Sequence, residues 1–153
     1  MNIFVVSTSP RVSARQLCDK HIVKMVLEST QILCSCYEPH MNPPYKPSHF
    51  NHPCPKWARS SRQNFNWLLT HALTLSEEYT KRYGKIHASA KVLEWILDNP
   101  PLHLPQIGLT KFVVCMPDAC KRDKVTESYR QYYIQEKKDF AKWKLGDKPI
   151  WMV

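Results

Sequence analysis

The sequence predicts an all-α fold, a compact single-domain helical bundle over residues 1–153 with a short extended segment at its N-terminus. Three observations lead there. Apolar residues recur at helical spacing over long stretches. Only three glycines are present, too few for a turn-rich all-β fold or a glycine-rich phosphate loop. Six of the twelve prolines fall within residues 38–55, which reads as one long loop between periodic segments. A chain of 153 residues is long enough to bury a real core as one domain.

The elements follow in order. Residues 2–6, Asn-Ile-Phe-Val-Val, form a short apolar run that suits a buried strand or an extended arm. Ser9-Pro10 reads as a helix start, a capping hydroxyl followed by proline in the first turn. Helix is expected from there to about Tyr37, with a break near Leu17. A second helix should start near Pro55 and run to Tyr83, its stripe being Trp57, Ser61, Phe65, Leu68, Ala72, Leu75 and Tyr79. Gly84 then stops it. A third helix covers about His87–Leu97 and ends at Asn99-Pro100-Pro101. Residues 100–120 read as irregular. The last helix is expected from about Asp123 to Lys144, on the stripe Val125, Tyr129, Tyr132/Tyr133, Glu136, Phe140 and Trp143.

Charge narrows the partner. Lys plus Arg is 22 against 13 acids, a formal charge of +9. Such an excess suits a polyanion or an anionic substrate, or simply a soluble basic protein. It is uneven: residues 1–75 hold eight Lys or Arg against only Asp19, Glu28 and Glu38. The positive field should concentrate where the first half of the chain folds together. Six cysteines with no expected signal peptide suggest reduced thiols in a cytoplasmic setting. No apolar run has the length of a membrane span, so no membrane partner is expected.

Residues 22–33 are apolar on most sides, yet His21, Lys24, Glu28 and Gln31 form one narrow polar line. A mostly buried helix must pair such groups or turn them into a wet cleft. Two readings fit. One is an outward face with an ordinary Lys24–Glu28 pair. The other is a catalytic stripe, with His21 moving a proton, Lys24 meeting an anion, and Glu28 acting as acid/base or stabilising positive charge.

Leu17-Cys18-Asp19-Lys20-His21-Ile22-Val23-Lys24-Met25-Val26-Leu27-Glu28-Ser29 resembles the corresponding helix of the T-even phage pyrimidine-dimer DNA glycosylase (endonuclease V type) family. The shared features are a Leu-x-Asp-x-His opening and a Glu seven residues after the His. The chain is also broadly similar to uncharacterised tailed-phage proteins. The resemblance implies a compact helical fold, a catalytic Glu28 with His21 beside it, and basic residues gripping a kinked duplex. It also implies attack on the sugar C1′ by an N-terminal amine, then strand cleavage by β-elimination. Two positions depart from the family. Asn2 follows Met1 where the family exposes a Thr by removing Met, and Asn is too large for that removal to be expected. Leu27 stands where the family has a basic residue before its Glu.

The stretch from Tyr45 to Asn64 is the densest in polar and aromatic residues. Lys56, Arg59 and Arg62 fall near a helix N-terminus, where cations oppose the helix dipole. That placement makes sense if they meet phosphate together with exposed amides; the plainer reading is a solvated face over a core Trp57. His52 and Asn64 are further candidates. Arg82 either contacts nucleic acid or reaches inward. Arg130 lies in a Tyr- and Lys-rich segment that suits a nucleic-acid face or, for its aromatics, the core. Cys34, Cys36, His40, His49, His52 and Cys54 offer ligand chemistry, but their spacing matches no familiar finger, so no metal and no other cofactor is expected.

The leading expectation is therefore a DNA glycosylase or related base-modifying enzyme acting at the glycosidic bond. Glu28, His21 and Lys24 form its site, and its partner is nucleic acid, most simply DNA. One alternative is an enzyme on a free nucleotide or nucleoside. Another is a non-catalytic nucleic-acid-binding protein with a structural Glu28. The oligomeric state is left open.

Overall fold

The computed structural model describes residues 1–153, and six α-helices with no strand make it all-α. α1 is Pro10–Arg15, α2 Asp19–Cys34, α3 Pro53–Ser60, α4 Arg62–Tyr83, α5 Ala90–Asp98 and α6 Val125–Tyr132. α2 packs mainly on α4, and α1 and α3 flank the same long helix. One apolar cluster of 31 buried residues runs through all of these contacts.

Local chemistry sets the boundaries. Ser9 caps α1, its hydroxyl accepting the Val12 amide at 3.3 Å, with Pro10 in the first turn. The expected break near Leu17 is present, and α2 restarts at Asp19. The expected second helix is two. Ser61 is extended (φ −155°) and its hydroxyl accepts the Asn64 amide at 3.0 Å, so it ends α3 and caps α4. A serine that fitted the stripe is in fact a cap. Gly84 closes α4 in the left-handed region (φ 70°), a conformation open to glycine without strain.

Residues 2–6 are an extended segment with no sheet partner. Ile3, Phe4, Val5 and Val6 are buried, and Ser13 holds them by donating to the Phe4 carbonyl (2.8 Å) and accepting the Val6 amide (3.1 Å). Backbone groups without a ladder need such partners when buried.

The last helix is shorter than its stripe suggests. α6 ends at Tyr132, and Tyr133–Lys137 is a π-turn, followed by irregular chain. A π-turn aligns residues five apart, where an α-helix aligns those four apart. Tyr132 and Lys137 therefore share a face, with the Lys137 ammonium 4.6 Å from the Tyr132 ring centre. Tyr133 turns into the core.

Arg82 locks the corner between α1 and α2. Its guanidinium, 1% exposed, meets Asp19 at 3.2 Å and Glu78 at 3.0 Å, and donates to the Leu17 and Arg15 carbonyls at 2.8 Å each. Asp19 in turn accepts the amides of Lys144 (2.8 Å) and Leu145 (3.2 Å). The C-terminal segment closes over this cluster. A Cβ on Gly146 would come within 2.5 Å of the guanidinium carbon.

Candidate active site

A cavity of about 320 Å³ opens where the chain start, α2, the α3 entry and the π-turn meet. Met1, Asn2 and Phe4 line it from the extended segment, and His21, Lys24, Met25 and Glu28 line it from α2. His52, Cys115, Tyr132 and Lys137 complete the wall. A volume of this order lies at the small end of ligand pockets.

The α2 contribution follows from helical geometry. His21, Lys24 and Glu28 lie at i, i+3 and i+7 and so face one way. Lys24 pairs with Glu28 at 3.5 Å. The Glu28 side chain is 15% exposed against 67% for Lys24, so the carboxylate is recessed yet open to the cavity. The pair and the cavity wall are thus the same feature.

His21 is 5% exposed and stacks on Phe4 with ring centres 4.3 Å apart. Its Nδ1 hydrogen-bonds the Tyr133 hydroxyl. Burial, then the charges of Lys137 and Lys24, lowers His21 from 6.5 to about 3. The imidazole is neutral at physiological pH. Burial likewise holds the Tyr133 phenol protonated, well above its ordinary value. The Tyr133 hydroxyl also accepts the Cys18 amide at 3.4 Å and lies 3.8 Å from the Cys18 sulfur, to which it can donate.

Asn2 fixes the chain start. Its Nδ2 donates to the Cys115 carbonyl at 2.8 Å, and its Oδ1 accepts from the Tyr129 hydroxyl (2.8 Å) and the Ile3 amide (2.8 Å). Three bonds on one amide side chain hold the first residues against the cavity wall. His52 caps α3, its Nδ1 accepting the Cys54 amide at 3.1 Å. His52 sits below the ordinary histidine value through burial first, then through the positive charge at Met1 and at His49, with Glu28 opposing. The Cys54 and Cys115 sulfurs are 3.8 Å apart. Cys54 is raised by its bond to Cys115 and by burial, and the same bond lowers Cys115 to about 7.

The other sequence candidates lie elsewhere. Lys56 is exposed on α3, one turn past His52. Arg59 stacks on Phe50 at 3.8 Å and donates to its carbonyl at 2.7 Å. Arg62 donates to the Leu102 carbonyl at 2.7 Å. Asn64 is buried and bonded to the Trp57 carbonyl (2.8 Å) and to Thr110 (2.7 Å). Arg82 spends its donors in the cluster above. Arg130 donates to the Val6 carbonyl at 2.9 Å and lies beside Trp151. Asn64, Arg82 and Arg130 are thus bonded within the fold. Sequence reasoning did not connect Asn2, Cys115, Tyr132 or Lys137 to the α2 stripe; Tyr132 fitted the last helical stripe, and its five-residue spacing from Lys137 hides that the two share a face.

A family model described as pyrimidine dimer DNA glycosylase matches residues 1–92. No curated protein and no solved structure matches the chain. The matched span contains Met1, His21, Lys24, Glu28 and His52, while Cys115, Tyr132 and Lys137 lie beyond it.

Proposed function

The chain belongs to the pyrimidine dimer DNA glycosylase family, and from that premise we propose that it is a DNA glycosylase whose reaction centre is the cavity shared by Met1, His21 and Glu28. DNA is its partner. The observation that carries this reading is convergence. A recessed carboxylate, a neutral imidazole, two lysines and the first residue of the chain line one small cavity.

Breaking an N-glycosidic bond builds positive charge on the sugar. Glu28 is held where it stabilises that charge, and preorganised electrostatics of this kind is a large catalytic contribution. The nucleophile is the α-amine of Met1. Met1 lines the same cavity as Glu28, and an amine with a free lone pair is the nucleophile that Schiff-base chemistry requires. It attacks C1′, its nitrogen gives up a proton, and the base departs with the glycosidic electron pair and takes up a proton from solvent. His21, neutral at the cavity wall, serves as a hydrogen-bonding partner of the departing base. Ring opening leaves an imine between Met1 and C1′. Loss of a C2′ proton to Glu28 then expels the 3′ phosphate oxygen by β-elimination.

The aromatic wall fits an extruded nucleotide. Phe4 lies between His21 and Tyr132, with ring centres 4.3 and 6.0 Å away. Flipped bases are held by such stacking. Lys24 and Lys137 at the rim, with exposed Lys20 and Lys56, supply cations for the bent backbone.

The test is incubation of the protein with duplexes bearing a pyrimidine dimer, an abasic site or a modified base, with borohydride present. A covalent adduct mapped to the Met1 peptide, together with base release, is the expected result. An adduct on Lys24 or Lys137 removes the α-amine from the mechanism. Absence of both adduct and base release across the panel overturns the glycosylase reading. Glu28→Gln should lower turnover about 10²- to 10³-fold while leaving duplex affinity intact. A loss of stability in place of turnover returns Glu28 to a structural role.

A further inference from the structure

His52, Cys54 and Cys115 bring one imidazole nitrogen and two sulfurs together at the edge of the cavity. Their ligand atoms all lie within 4.8 Å of one another. The glycosylase chemistry proposed above uses none of the three. Sequence spacing conceals the set, because the third member comes from a segment 61 residues after Cys54.

We propose that these three side chains form a binding site for a thiophilic divalent cation of the zinc class, with its fourth coordination position open to the cavity. The first argument is geometric. The Cys54–Cys115 sulfur separation is 3.8 Å. Two thiolates at about 2.3 Å from one tetrahedral zinc ion are separated by about 3.8 Å. The sulfurs thus already span one edge of the coordination tetrahedron. Little rearrangement is needed on that side.

The second argument concerns the imidazole. The His52 Nδ1 lone pair is turned toward Cys54, whose amide it accepts at 3.1 Å. A cation between the two sulfurs takes that lone pair, and Nε2 keeps its proton. The helix gives up one side-chain cap, a small loss beside the free energy of binding zinc through two thiolates and an imidazole. Binding displaces the two thiol protons, so charge balances as one divalent cation in and two protons out.

The third argument is the donor set. Two thiolates with one imidazole favour zinc over magnesium or calcium, which take oxygen ligands. His52 and Cys115 line the cavity, whereas Cys54 is buried. The protein closes three positions and leaves the fourth toward the cavity, the pattern of an open zinc site. The Cys115 carbonyl accepts from Asn2, so the site also couples α3 to the chain start.

The experiment uses the full-length, reduced protein, stripped of metal and titrated anaerobically with Co2+ and then Zn2+. The expected result is one equivalent of Co2+ with sulfur-to-cobalt charge-transfer absorption and intense tetrahedral d–d bands, bleached by one equivalent of Zn2+. Cys115→Ser should weaken binding by about 100-fold or more and remove most of the charge-transfer band. Cys120→Ser should leave both unchanged. Cys54 is buried and its variant need not fold; Cys115 is half-exposed, and His52→Ala gives a second surface variant. A charge-transfer band that survives Cys115→Ser overturns the proposal. So does a titration with no sulfur-to-cobalt absorption. Mild peroxide that forms a Cys54–Cys115 disulfide while the reduced protein takes up no Co2+ would assign the pair to redox chemistry and equally overturn the metal site.

Discussion

The Tyr129 hydroxyl donates to Asn2 Oδ1 at 2.8 Å, joining the second residue of the chain to α6 across 127 positions. Tyr129 is fully buried, and its hydroxyl lies also within 3.3 Å of the Cys115 amide, which donates to it. The chain start is therefore positioned by a residue that does not itself line the cavity.

Tyr129→Phe tests that positioning. The ring still fills the core, and the lost hydrogen bonds cost about 1–2 kcal/mol of stability. The Met1 amine, no longer aligned, should be trapped by borohydride about tenfold more slowly. Duplex affinity should be unchanged. Equal trapping rates for variant and parent, measured on abasic DNA, would separate Tyr129 from the chemistry.

Acid sensitivity follows from two buried histidines. His21 is lowered to about 3, and His71, which stacks on Trp67 and faces the Pro10 carbonyl, to about 4, each by burial first. Unfolded, both titrate near 6.5. Above pH 6.5 both states leave these groups neutral and stability is at its plateau. As pH falls from 6.5 toward 4, the unfolded chain binds protons that the native state does not. Each histidine then removes up to about 1.4 kcal/mol per pH unit. Urea titrations at pH 7, 6 and 5 should show a falling midpoint. His71→Gln should flatten the slope, and an unchanged slope would show that His71 carries none of it.

Arg82→Met should be severely destabilising. It strands Asp19 and Glu78, whose side chains are 12% and 10% exposed, without their buried counter-charge. Breaking such a pair from one side costs about 3–5 kcal/mol. Chemical denaturation measures it. A cost below 1 kcal/mol would mean that the cluster is solvated in solution.

Salt dependence reads the phosphate contacts. Lys24→Ala, Lys137→Ala and Lys56→Ala should each flatten the log–log salt slope of duplex binding by about one. Arg130→Ala should leave the slope unchanged, because its guanidinium already serves Val6 and Trp151. A slope near zero for the parent would favour a free nucleotide as substrate.

The helical class and the α2 face of the cavity were legible because both rest on local periodicity. His21, Lys24 and Glu28 share one helix, and geometry alone aligns them. His52 was within reach because it sits in a dense polar stretch at a helix start. Cys115, Tyr132 and Lys137 join through contacts that no local pattern encodes. Tyr132 and Tyr133 are adjacent, yet one faces the cavity and the other the core, a division set by the π-turn. Arg82 and Asn64 illustrate the opposite limit. A cation or amide on a helix looks available in sequence, while the fold has already claimed it: the Leu17 and Arg15 carbonyls take Arg82, and the Trp57 carbonyl and Thr110 hydroxyl take Asn64.

The cavity wall is drawn from residues 1–4, 21–28, 52, 115 and 132–137. Three of these side chains, Cys115, Tyr132 and Lys137, lie beyond the family-matched residues 1–92. A fragment cut at residue 92 keeps His21, Lys24 and Glu28 on their helix but leaves that side of the hollow open to water.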